Sequence, residues 1–279
     1  MSRYTTLQIA DTRLAIRCSH PAFARSLSNR CRGFLSDGEP HLWLSLSLDS
    51  LPQAESGGNS GEVYPSRFLS IRVIGDGDQG RELKLKVAGP NPADLLWIAL
   101  QVSLRFAILA KRPPDILLHA AGIIREGSAY LFVGPSGAGK STVCELSANN
   151  GTCTILHDDV VALTQTEDGF YAWSTPLSGE MPAESNIGAP LRAIFSLKQD
   201  EVNYAAELSG LQALNVLVAQ LLPPLGYKGG EITIEPAESL KMLLAMAGSV
   251  PCYELHFRHE ASFWRCIEQL PLGKCRDWK

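Results

Sequence analysis

The feature that most constrains this chain is Gly134-Pro-Ser-Gly-Ala-Gly139-Lys140-Ser141, which matches G-x-x-x-x-G-K-[ST]. Tyr130-Leu-Phe-Val leads in as a strand, and Ser141-Thr-Val-Cys-Glu-Leu-Ser-Ala leads out as a helix. Strand, glycine-rich loop and helix in that order put the loop at a helix N-terminus. Glycines let backbone N–H groups turn inward around phosphates, and the helix end adds a field that favours anions. Gly134, Pro135, Ser136, Gly137, Ala138, Gly139, Lys140, Ser141 and Thr142 are the expected contacts of a nucleoside triphosphate. Lys140 would reach its β/γ-phosphates, and the Ser141 hydroxyl would ligate Mg²⁺.

A second constellation follows closely. Cys153-Thr-Ile-Leu-His-Asp158-Asp159 puts two aspartates 18 and 19 residues after Lys140, at the end of a predicted strand. In an open parallel sheet, ligands bind outside the carboxyl ends of the strands. One carboxylate can organise Mg²⁺ and the other can accept a proton from an attacking hydroxyl. His119, in Leu117-Leu-His-Ala-Ala-Gly122, lies one strand before the loop. At a strand end bordering the phosphate site it could orient a carboxylate or contact a phosphoryl group. There is no Asn-Lys-x-Asp for guanine recognition. Glu207-Leu-Ser-Gly-Leu-Gln212 is followed by a carboxylate-free run from Ala213 to Leu222, which excludes a transporter-type signature.

The rest of the chain frames this unit. Residues 1–90 read as a strand-rich N-terminal domain, with short strands at 7–9, 14–16, 44–48, 68–73 and 83–87. Residues 91–279 read as the phosphate-loop domain. It opens on a helix to about Ala110 and continues through strands at 116–119, 121–124, 129–133 and 152–156. A loop at 174–190, a strand at 193–197, a helix at 209–221 and a loop at 223–230 come next. A helix at 237–247, a strand at 252–257 and a helix at 260–269 complete the chain. With 25 Lys and Arg against 29 Asp and Glu, and no basic run, no nucleic-acid partner is expected. Leu95–Ala110, the longest apolar stretch, contains Gln101, Ser103 and Arg105; it fits a buried helix, so no membrane partner is expected. Seven cysteines without metal-ligand spacing read as reduced thiols, and no secretory signal opens the chain, so the expected location is the cytoplasm.

His119-Ala-Ala-Gly, the Gly134–Ser141 loop and Leu156-His-Asp-Asp together resemble the HPr kinase/phosphorylase family. That resemblance implies an α/β fold with a P-loop core of the HPr kinase and phosphoenolpyruvate carboxykinase type, beside a smaller strand-rich N-terminal region. It implies ATP and Mg²⁺ as cofactors. It makes Asp159 the catalytic base, Asp158 its neighbour at the metal, and His119 an auxiliary active-site group beside Lys140. A downstream Glu would also serve Mg²⁺, with Glu180 favoured over Glu184. Arg192 and Arg258 are candidates for a catalytic arginine, with no motif to choose between them. The glycine-rich signature that follows the aspartates in HPr kinases is not recognisable here. The chain therefore looks more like the divergent HPr-kinase-related group, which includes kinases of lasso precursor peptides. The implied activity is γ-phosphate transfer to a serine hydroxyl of a peptide or small protein, with a homo-oligomer allowed. A kinase of a free hydroxy amino acid, a bifunctional HPr kinase/phosphorylase and a non-catalytic ATP-binding regulator stay open as alternatives.

Overall fold

The computed structural model describes residues 4–18, 21–49, 70–73, 82–88, 115–149, 151–177, 179–181, 183–222, 225–228, 231–234 and 237–272. In chain order the first elements are β1 (Thr5–Ile9), β2 (Thr12–Cys18), α1 (Pro21–Arg30), β3 (Leu42–Asp49), β4 (Ser70–Val73) and β5 (Glu82–Ala88). Then come β6 (Ile116–Arg125), β7 (Ser128–Val133), α2 (Lys140–Ala148), β8 (Cys153–His157), β9 (Val160–Thr166), β10 (Gly169–Trp173) and β11 (Gly188–Gln199). The last are β12 (Tyr204–Glu207), α3 (Gly210–Gln220), β13 (Leu221–Leu222), β14 (Leu225–Lys228), β15 (Glu231–Ile234), α4 (Ala237–Ser249), β16 (Cys252–Phe257) and α5 (Phe263–Glu268). The chain is a mixed α/β protein of two compact units, residues 1–114 with 223–236 and residues 115–222 with 237–279.

The first unit carries a five-stranded sheet in the order β1-β2-β3-β5-β4. In β1, Leu7 and Ile9 are buried on either side of the half-buried Gln8, whereas Leu14, Ala15 and Ile16 of β2 are all buried. All five expected strands are present. α1 was not expected, because Pro-Ala-Phe-Ala-Arg-Ser-Leu-Ser-Asn-Arg is short and polar on average. Topology accounts for it: β2 and β3 pair in parallel, and a parallel pair needs a crossover connection. The stretch 223–230, expected as loop, contains β14, which pairs antiparallel with β15. Only two residues, Gly229 and Gly230, separate these strands, a spacing that selects a hairpin. The expected helix to Ala110 lies outside the described residues.

The second unit is built on a sheet ordered β10-β9-β6-β7-β11-β16-β12, in which β10 also pairs with β11. Only β7, β11 and β16 form parallel pairs, so the expected open parallel sheet is corrected to a mixed one. The cause is local. Glu126 (φ 50°) and Gly127 (φ 73°) make a two-residue turn with both φ positive, which joins antiparallel strands only. The two strands expected at 116–119 and 121–124 are one continuous strand, β6. The β9–β10 hairpin and β12 were missed, and β11 takes the last residues of the loop expected at 174–190.

β7 is buried at all six positions because both sheet faces are covered. Ala129, Leu131 and Val133 face Ala213 and Leu217 of α3 and Met242, Leu243 and Met246 of α4. Tyr130 and Phe132 face Val143 and Cys144 of α2 and Phe263, Trp264 and Ile267 of α5. β6 continues the pattern: Ala121 and Ile123 belong to the cluster that holds α2. His119 shares their parity, so it projects on the α2 side. Among the described residues no helix is long and apolar enough to cross a membrane.

Candidate active site

Gly134–Gly139 connects the end of β7 to the start of α2. Gly139 caps the helix at φ 105° with no side-chain cap, so the first N–H groups of α2 stay free for an anion. A Cβ at Gly139 would stand 2.6 Å from Phe257 Cζ at the end of β16, so the glycine is required by contact as well as by φ. Lys140, 8% exposed, folds back along the loop. Its ammonium donates to Gly134 O at 2.9 Å and Pro135 O at 3.3 Å. Burial pushes its pKa down, and the negative charge of Asp159 opposes that shift. Gln199 at the end of β11 donates to Gly137 O at 2.8 Å and braces the loop from the neighbouring strand.

β6 brings the aspartates to this loop. Gly122 opposes His157 of β8, and His119 opposes Val160 of β9. β8 and β9 thus run along β6 as one interrupted strand, and the interruption is Asp158-Asp159. The Ala120 N–H donates to Asp159 O at 2.9 Å. Ala120 also pairs with Val133, the last residue of β7. One strand width therefore separates the start of the glycine-rich loop from the aspartate turn, about 5 Å on each side of β6. His119 sits where β6 changes partners, in mid-strand and not at the strand end expected.

The two aspartates differ. Asp158 is 3% exposed; its Oδ2 accepts from the Ser141 hydroxyl at 3.3 Å and from the Glu180 N–H at 3.1 Å. Its Oδ1 is buried and has no hydrogen-bond partner among the described residues. Asp159 is 36% exposed at the side chain, and its Oδ1 lies 3.1 Å from Nδ1 of His119, itself 38% exposed. Burial lowers the His119 pKa; Asp159 pulls it back up and Lys140 presses it down. His119, Ser136, Gly137, Gly139, Lys140, Ser141, Thr142, Asp158, Asp159, Gly179, Glu180 and Gln199 line one pocket of about 500 Å³.

Most of the expected site residues meet here. Gly134, Pro135 and Ala138 shape the loop from behind: two carbonyls hold Lys140, and the Ala138 N–H donates to Pro135 O at 3.1 Å. Glu180 is at the site, but it reaches Asp158 through its main-chain N–H; Glu184 does not line the pocket. Arg192 donates to Leu272 O, and Arg258 pairs with Glu260 at 3.1 Å; neither lines the pocket. Sequence reasoning missed His157, Gly179, Gln199 and Phe257. A histidine directly before an aspartate pair, at the end of an apolar strand, was the signal available for the first.

A buried carboxylate oxygen without a donor is costly, which suits it to a cation. The Asp158 carboxylate, whose Oδ2 meets the Ser141 hydroxyl, offers hard oxygen ligands together with that hydroxyl, and these fit Mg²⁺. That ion commonly uses one or two protein carboxylates and completes its shell with water and substrate phosphates.

The family model described as SynChlorMet cassette protein ScmC matches residues 86–272, two thirds of the chain. No curated protein matches. A solved structure, the Hpr(Ser) kinase/phosphatase from Coxiella burnetii, is similar over 47% of this chain and 95% of that one. The two share 15% identity, with a TM-score of 0.25.

Proposed function

This chain belongs to the ScmC family, and we propose that it is an ATP- and Mg²⁺-dependent kinase acting on a serine hydroxyl of a peptide or small protein. Its core on this reading is a P-loop unit of the HPr kinase type. The observation that carries the proposal is the pairing of Asp159 with His119 at 3.1 Å, in the same pocket as Lys140 and Ser141. A bare nucleotide switch needs the loop and its lysine; it has no use for an exposed, oriented carboxylate across from them.

The residues act as follows. Lys140 leaves the loop carbonyls and pairs with the β/γ-phosphates, and the free N–H groups at the start of α2 bind their oxygens. Asp158 and Ser141 would hold Mg²⁺, which when bound would neutralise charge on the phosphate oxygens. Asp159 accepts the hydroxyl proton as the serine oxygen bonds to the γ-phosphorus and the bond to the β-phosphate oxygen breaks, leaving ADP. His119 donates from Nδ1 to Asp159 Oδ1 and fixes the direction of its carboxylate. About a third of each side chain is open to solvent, which suits an acceptor held on a larger molecule. A precursor peptide with a terminal serine is the first candidate.

The test is incubation with ATP, Mg²⁺ and such a peptide, read by mass spectrometry. Addition of one or more phosphates to the serine is expected, with none on the serine-to-alanine peptide. Lys140→Ala should abolish transfer while the protein stays folded. Transfer at the wild-type rate in that variant would sink the kinase reading.

A further inference from the structure

His157 takes no part in the reaction above, yet its wholly buried ring is engaged through both nitrogens. Nδ1 lies 2.9 Å from the Asp159 nitrogen and 3.1 Å from the Val160 nitrogen. Two N–H donors directed at one ring nitrogen need its lone pair, so Nδ1 bears no proton. The ring proton is on Nε2, which donates to Leu177 O at 2.9 Å. The same Nδ1 stands 3.6 Å from Asp158 Oδ1. Without a proton it offers that oxygen nothing, and among the described residues Oδ1 is left without a partner. The opposite tautomer would place a donor beside Asp158 and strip the turn of its acceptor.

We propose that His157 is a positioning residue. It folds the Asp158-Asp159 turn onto Nδ1, and in its Nε2–H tautomer it sets the direction in which the Asp158 carboxylate meets Ser141 and would meet Mg²⁺. The role rests on the metal-dependent reading above. It also links that turn to the segment that follows β10. Through Leu177 O the imidazole ties that segment down, and Gly179 and Glu180 of the segment pack on the Asp158 carboxylate. Groups that orient a metal ligand without touching the metal typically change affinity by about 10–100-fold when lost.

Two substitutions separate the ring's two bonds. In His157→Asn the side-chain oxygen falls near the place of Nδ1 and can accept from the N–H groups of residues 159 and 160, an Asx-type turn. In His157→Gln the amide reaches towards Leu177 O, and the turn loses its acceptor. Binding of Mn²⁺ in the presence of ADP, read from the free-ion electron paramagnetic resonance signal, needs no turnover. His157→Asn should bind Mn²⁺ close to the wild-type level, and His157→Gln about 10–100-fold more weakly. Equal binding by all three proteins, or a loss confined to the asparagine variant, would overturn the proposal. Asp158→Asn is the reference: unweakened binding there means that the metal site itself is wrongly assigned. The nitrogen-15 imidazole spectrum of the wild-type chain decides independently, even if a variant fails to fold. The signal lost in the variants should show a protonated Nε2 and a bare Nδ1. A protonated Nδ1 at His157 would refute the role while leaving the kinase reading standing.

Discussion

Gly179→Ala probes the geometry of the aspartate turn without touching a group that bonds to substrate. The backbone at Gly179 is outside the left-handed region, so alanine adds no conformational strain. The cost is steric. A Cβ would stand 2.6 Å from His157 Cε1, and nearer still to Asp158 Oδ1, where ordinary contacts begin near 3.4 Å. His157 cannot yield, because it is wholly buried and bonded at both nitrogens. Either the loop retreats or the Asp158 carboxylate swings, and both moves break the Glu180 N–H bond to Oδ2. Overpacking of this kind costs about 1–3 kcal/mol. A unit of this size loses about 2–4 °C of Tm per kcal/mol, so a fall of about 2–12 °C is expected. The Mg²⁺ needed for half-maximal binding of ADP should rise as well. Thermal unfolding with and without Mg²⁺ and ADP measures both effects. Gly127→Ala is the control: its φ of 73° costs about 1–2 kcal/mol in strain, no atom lies within 4 Å of the added Cβ, and it is remote from the pocket. It should lower Tm without moving the Mg²⁺ requirement. A Gly179→Ala protein with wild-type melting and wild-type Mg²⁺ dependence would refute the packing described at this turn.

Three further outcomes are expected. Asp159→Asn keeps shape but cannot take the proton, so kcat should fall by about 10²–10⁴-fold, or about 2.7–5.4 kcal/mol of barrier. Asp158→Asn should instead raise the Mg²⁺ requirement, and the reverse pattern in steady-state kinetics would exchange the two roles. His119 has its pKa held below 6.5, so it stays neutral at neutral pH. Phosphoryl transfer should therefore hold down to pH 6.5 and decline only below it, as the imidazolium draws electron density from Asp159. His119→Asn should lose that limb of the pH–rate profile, and an unchanged profile would refute the assignment. Protonation below 6.5 also favours the unfolded chain, so stability linked to His119 is intact above 6.5 and lost as pH falls from there. Burial pushes the Cys31 thiol up to about 12, and raises Cys144 strongly as well. At pH 8 a thiol reagent should label the part-exposed Cys153 and Cys266 well before these two, as read by peptide mass spectrometry. Above pH 9 unfolded thiolates form first, so alkaline pH should erode stability. Early labelling of Cys144 in folded protein would contradict its burial.

The sequence by itself determined the elements whose signals are local. The Gly134–Ser141 loop between a strand and a helix is legible because glycine spacing, the lysine and the flanking apolar runs all lie within a few residues of one another. The same holds for the capped helix α3, where Ser209 and Gln212 form a reciprocal capping box, and for the strands of the five-stranded sheet β1-β2-β3-β5-β4. The nearness of Asp158, Asp159 and His119 to the loop could be anticipated from chain distance, though not their order of exposure. Only the tertiary structure decided that Asp158 is buried and Asp159 open. It likewise decided that Glu180 enters through its N–H and that neither Arg192 nor Arg258 reaches the pocket. Those outcomes depend on β6 pairing with β7 on one edge and with β8 and β9 on the other. That arrangement follows from a hairpin turn at Glu126-Gly127 and from contacts between residues far apart in the chain. The same pairing gives His157 two N–H donors and a carbonyl. A side chain's partners in three dimensions are set by non-local register, which no periodicity or spacing encodes.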